Sequence, residues 1–261
     1  MMRAFSVPIL ATMLAFGAAI HPAAADDFSD LAFDPRPGAQ LPLKEVFIDE
    51  QGRVTALGNY FTGKPVVLVL DYLRCKALCG VTLEHLTAAL GALPLELGRD
   101  YQLVGISIDP RDKPIDAAAA KAKYLALYGH AGGESGAHFL TGDGAGARRV
   151  AAAIGFRYRY DAALDQYIHP AGFVIATTDG RISRYMLTVG PAPATLQAAL
   201  VDAAAARVTD PLTRFLLLCH VEGAPLGRYD GPILVAFSLA NLAAMAALIV
   251  LFGTIRRRRN G

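Results

Sequence analysis

"PVVLVLDYLRCKALCGVTL", residues 65–83, decides the fold. Its first half is a continuous apolar, β-branched run, as expected of a strand buried on both faces. Its end opens "GVTLEHLTAALGAL" (80–93), where Leu83, Leu86, Leu90 and Leu93 recur at spacings of three and four and predict an amphipathic helix. Between strand and helix stand Cys75 and Cys79, two of the three cysteines in 261 residues. A loop that concentrates thiols in this way needs a chemical or structural reason.

Working outward, "YQLVGISID" (101–109) predicts a second buried strand. "DKPIDAAAAKAKYLALYG" (112–129) predicts a helix with Pro114 near its start and Gly129 as its stop. "HFLTG" (138–142) reads as a short strand, "AGARRVAAAIG" (145–155) as a helix and "FRYRYD" (156–161) as a strand. "GFVIATTDGRISRYML" (172–187) predicts a hairpin turned by Asp179-Gly180. The alanine-rich "APATLQAALVDAAAA" (192–206) predicts a last helix. The order is α/β with a mixed sheet flanked by helices, a thioredoxin-like order with one extra helix-strand insertion.

The two ends hold the apolar excess behind a 54% apolar composition. Residues 1–25 have the layout of a secretory signal peptide: Arg3, an apolar stretch, then Ala23, Ala24 and Ala25 at the expected cut. Residues 232–255 carry no charge and are followed by four arginines, 256–259. At about 1.5 Å per residue that run is long enough to cross a hydrocarbon core of about 30 Å, and the arginines favour a cytoplasmic end. The expected plan is a signal peptide (1–25), an exported domain (26–207), a juxtamembrane linker (208–231), a transmembrane helix (232–255) and a basic tail (256–261). This places the domain in the periplasm, tethered to a bacterial inner membrane. A net charge of +2 without a basic patch on the domain argues against nucleic acid as a partner.

The cysteine spacing leaves several chemistries open. If the loop enters a helical turn, positions i and i+4 share a face with Cβ atoms about 5–6 Å apart, within reach of one ion. Two thiolates favour soft Cu(I) and also Zn(II). A static disulfide suits an oxidising compartment. A catalytic dithiol is a further reading, although thioredoxin-type loops place two residues between the cysteines and this loop has three. A third ligand would separate these readings. Of six histidines, His21 leaves with the signal peptide, and His85, His130 and His138 read as ordinary surface or satisfied histidines. His169, in "QYIHPAGF" (166–173), lies just before the hairpin, where a thioredoxin-like fold brings a loop beside the cysteine loop.

"VLDYLRCKALCGVTL", "SIDPRDKPIDAAAAKAKYLALYG", "FLTGD", "AAAIGFRYRYD" and "YIHPAGFVIATTDGRI" together resemble, in order, segments of the SCO/SenC family of copper chaperones. The resemblance covers about residues 40–205. It implies a thioredoxin-like domain that binds copper through Cys75, Cys79 and His169, with Cu(I) favoured over Cu(II). In that family the histidine stands ten residues before the Asp-Gly of the hairpin, as His169 stands before Asp179. The implied role is a metallochaperone rather than an enzyme, with the copper-accepting subunit of cytochrome c oxidase as partner. A tethered thiol-disulfide oxidoreductase, cycling a Cys75–Cys79 disulfide, is the alternative, and a redox or copper sensor is a third.

The chain also departs from the family pattern. Lys76 and Gly80 follow the cysteines in place of prolines, and Ile168 precedes His169 in place of Asp. A carboxylate that orients the imidazole is therefore expected elsewhere, at Asp165 or Asp161. Pro170 follows the histidine where Ser is usual, and it resembles the cis-proline beside redox cysteines in thioredoxins. Cys219 and His220 could form a second, weaker copper site at the membrane surface. A single Cys-His pair cannot close a coordination shell, and Cys219 reads better as a small apolar residue, so both stay outside the site.

Overall fold

A computed structural model describes residues 31–74, 79–208, 235, 238–242 and 245. Nine strands are found among these residues: β1 (Val46–Ile48), β2 (Val54–Ala56), β3 (Val66–Asp71), β4 (Gln102–Ser107), β5 (Ala137–Leu140), β6 (Arg159–Asp161), β7 (Gln166–Ile168), β8 (Phe173–Ala176) and β9 (Ile182–Met186). Four helices accompany them: α1 (Cys79–Gly91), α2 (Pro114–Tyr128), α3 (Ala145–Ile154) and α4 (Pro193–Ala204). The central sheet runs β5-β4-β3-β8-β9; β3, β4 and β5 are parallel, while β8 and β9 are antiparallel to their neighbours.

The apolar run of β3 occupies the middle of this sheet, and every one of its residues is buried. Its side chains alternate between two cores, as a strand period of two requires. Val66, Leu68 and Leu70 face α3 through Val150, Ala151 and Ile154. Val67 and Val69 face α1, α2 and α4, which contribute among others Leu83, Leu86, Tyr124 and Leu196. The leucines at spacings of three and four on α1 form the buried stripe that the sequence predicts.

Helix ends and turns follow the punctuation in the chain. α2 starts on Pro114 and stops at Gly129, which adopts φ 75°, a left-handed conformation open to glycine at little cost. Gly180 (φ 84°) turns the β8–β9 hairpin as expected of Asp179-Gly180. "FRYRYD" is a strand over Arg159–Asp161 (β6), which pairs with β7 in a separate two-stranded ribbon. The β1–β2 pair, N-terminal to the central strand, is a further two-stranded sheet.

The expected signal peptide, residues 1–25, lies outside the described residues, as does most of the expected membrane segment. Residues 235, 238–242 and 245 of that segment are helical and exposed. Among the described residues no helix is long and apolar enough to cross a membrane.

Candidate metal centre

The site forms where β3 leaves the sheet. Asp71 is the last residue of β3, and Tyr72, Leu73 and Arg74 lead into the cysteine loop. This stem is held from one side by Asp112. One carboxylate oxygen accepts the Leu73 backbone N–H (2.7 Å) and the Ser107 hydroxyl (2.6 Å), and the other accepts Arg74 Nε (2.7 Å). The Asp112 side chain has no solvent exposure, so it pays its desolvation through charge-assisted hydrogen bonds.

Residues 75–78 and the side chain of Cys79 lie outside the described residues, so the expected pairing of Cys75 with Cys79 does too. The backbone of Cys79 is described, and it is the first residue of α1. A helix N-terminus presents unpaired N–H groups and the positive end of the macrodipole, which favour thiolate over thiol.

His169 approaches from the other side. β8 runs antiparallel to β3 with Leu68 opposite Val174, and continuing that register brings residues 169–172 alongside the end of β3. The imidazole is largely buried, at 10% exposure. It packs edge-on to Tyr72 at 6.1 Å and tilts over Phe156 at 5.8 Å. Nδ1 lies 3.2 Å from the Pro170 carbonyl oxygen, and Nε2 lies 3.4 Å from Asp71 Oδ1. A neutral imidazole carries one N–H, so at most one of these nitrogens donates while the other keeps the lone pair a metal would need.

The carboxylate beside His169 is therefore Asp71, not Asp165 or Asp161. Asp165 instead accepts hydrogen bonds from Arg111 Nη1 (2.6 Å) and the Tyr160 hydroxyl. Asp161 caps its own turn, accepting the N–H groups of Ala163 and Leu164. Both belong to the β6–β7 ribbon. Burial pushes the Asp71 carboxyl above the ordinary carboxylate range; the facing His169 imidazole, then the Tyr72 N–H at 2.7 Å, oppose that shift. The sequence held a signal for Asp71: a carboxylate ending a strand buried on both faces must find a partner.

The remaining histidines take the ordinary places expected of them. His85 is exposed on α1. His130 Nε2 meets the Gly91 carbonyl at 2.7 Å, and His138 lies 3.7 Å from the buried Glu50, which Lys121 also pairs at 2.6 Å. No peptide bond among the described residues is cis, so Pro170 does not reproduce the thioredoxin cis-proline. Cys219 and His220 lie outside the described residues. No three His, Cys, Asp or Glu side chains converge on a metal position among the described residues, which do not include Cys75 or the Cys79 side chain.

A mixed sheet with α1, α2 and α4 on one face and α3 on the other, with a Cys-x3-Cys loop between the central strand and its helix, defines a thioredoxin-like domain. The family model described as SCO1/SenC matches residues 45–204, and the chain belongs to that family. Solved structures share the fold. A putative electron transfer protein from Aquifex aeolicus VF5 aligns with TM-score 0.56 and 23% identity, over 66% of this chain and 96% of that one. ScoI of Arabidopsis thaliana with copper bound aligns with TM-score 0.51 and 18% identity, over 66% and 98%. BsSco, described as a Sco-family cytochrome c oxidase assembly protein with a disulfide switch, aligns with TM-score 0.51 and 20% identity, over 66% and 97%. No curated protein matches the sequence.

Proposed function

We propose that this chain is a membrane-tethered copper metallochaperone that holds one copper ion between Cys75, Cys79 and His169 and delivers it to a copper site of cytochrome c oxidase during assembly. The observation that carries the reading is the seat of His169: a buried imidazole, oriented beside Asp71, at the end of the strand that feeds the cysteine loop. Family membership supports it, as do the copper-bound ScoI structure and the oxidase-assembly role of BsSco. Two thiolates and one imidazole suit Cu(I), a soft ion. Three-coordination leaves room for an acceptor's thiol or imidazole to add before the old ligands leave.

Tethering confines donor and acceptor to one membrane surface and raises their effective concentration. The sequence of residues 232–259 supports the tether, and the exposed Val235, Leu239, Leu242 and Met245 suit a lipid-facing helix. A second reading is a thiol-disulfide oxidoreductase that reduces the acceptor's cysteines; Cys79 is the first residue of α1, and helix starts lower thiol pKa values. The two readings are linked, because a Cys75–Cys79 disulfide removes both thiolate ligands.

Titrating Cu(I) into the full chain under a competing chelator tests the proposal. The reduced protein is expected to bind one copper per chain, and the disulfide form far more weakly. Equal binding by both forms would exclude the cysteines as ligands. Reporters active only outside the cytoplasm test the tether: one fused after Ala206 is expected to be active and one fused at Gly261 silent, and the reverse pattern would remove the exported domain.

A further inference from the structure

The two halves of the site share an anchor. Asp109 and Asp112 belong to the loop between β4 and α2, and their side chains are 2% and 0% exposed. On the cysteine side, Arg74, the residue directly before Cys75, places Nε 2.7 Å from Asp112 and Nη2 3.6 Å from Asp109. On the other side, Asp109 accepts the Arg111 backbone N–H at 2.8 Å and Nε at 3.0 Å, with Nη2 at 2.9 Å. The same guanidinium reaches across to the β6–β7 ribbon. Its Nη1 lies 2.6 Å from Asp165 Oδ1, and its central carbon sits 5.2 Å over the ring of Tyr160, whose hydroxyl donates to that same oxygen. Asp165 occupies a left-handed backbone position, φ 50°, in the ribbon's turn, and β7 runs from there directly to His169.

We propose that the loop of residues 109–112 ties the stem that ends at Arg74 to the β6–β7 ribbon, and that through this tie Arg111 is a positioning residue for His169. An isolated exposed ion pair contributes little, because water screens it and two flexible chains must be ordered. Arg111 differs on three counts. One of its carboxylate partners is buried, the guanidinium's planar fork engages two carboxylates at once, and its face stacks on Tyr160. The alternating order Asp112, Arg74, Asp109, Arg111, Asp165 thus joins the stem of the cysteine loop to the ribbon that carries the histidine. This inference rests on the reading of Cys75, Cys79 and His169 as copper ligands.

The test compares Arg111→Gln, His169→Ala and the double variant in the full chain, by Cu(I) titration and by the reduction potential of the Cys75–Cys79 pair. Arg111 is 45% exposed, so its replacement is expected to fold. Arg111→Gln is expected to weaken Cu(I) binding on the order of tenfold, the scale of outer-shell partners of metal ligands. It should leave the dithiol potential unchanged, because Arg74 keeps Asp112. It should also add no further loss in the His169→Ala background, where the imidazole it positions is gone. Asp165→Asn, which breaks the same link from the ribbon side, should reproduce the loss and add nothing to Arg111→Gln. Wild-type affinity in Arg111→Gln, or an equal loss with and without His169, would overturn the positioning role while leaving the copper reading in place. Failure of the wild-type chain to bind Cu(I) would overturn both.

Discussion

Replacing Cys75 or Cys79 with Ser is expected to abolish Cu(I) binding by the reduced chain and to abolish oxidase maturation with it. A hydroxyl is a hard, neutral donor with little affinity for Cu(I), so the ion would be left with one thiolate and one imidazole. The two positions should behave alike in binding although they sit differently in the fold: Cys79 opens α1, while Cys75 follows the stem clamped by Asp112. Circular dichroism and thermal melting will report that the fold persists in each variant. Retention of stoichiometric Cu(I) by either variant would remove the cysteine loop from the site. Because a lone thiol also cannot close a disulfide, this loss does not by itself separate copper donation from thiol exchange.

His169→Ala separates them. The variant keeps both sulfurs and so keeps its cycle between dithiol and disulfide, but it loses one of three copper ligands. Cu(I) affinity is expected to fall by more than about 100-fold, beyond the 10–100-fold typical of residues that only orient a ligand. Oxidase maturation should fall with it, while thiol exchange by Cys75 and Cys79 continues. A variant that still matures the oxidase without holding copper would transfer the account to the oxidoreductase reading. Cys219→Ser is the control and should leave copper affinity unchanged, since Cys219 stands outside the ligand set.

The strand-loop-helix unit was legible because every residue of β3 is apolar up to Asp71 and because Leu83, Leu86 and Leu90 repeat at helical spacing. Gly129 and Asp179-Gly180 marked the end of α2 and the β8–β9 turn, since positive φ is accessible to few residues other than glycine. The order of elements put His169 just before the hairpin, and its ring lies 3.4 Å from Asp71 at the end of β3. That carboxylate partner was not legible. Sequence proximity favoured Asp165 and Asp161, but the β6–β7 ribbon turns their carboxylates onto Arg111, Tyr160 and local N–H groups, while the β3–β8 register brings Asp71 to the ring. Strand register between segments a hundred residues apart is a tertiary property that no local spacing encodes.

X-ray absorption at the copper edge of the full chain, loaded with one equivalent of Cu(I), tests the central claim most directly. The account predicts two sulfur scatterers and one imidazole nitrogen in the wild type, with the nitrogen lost in His169→Ala. A copper environment without sulfur, or an imidazole signal that persists in His169→Ala, would contradict it.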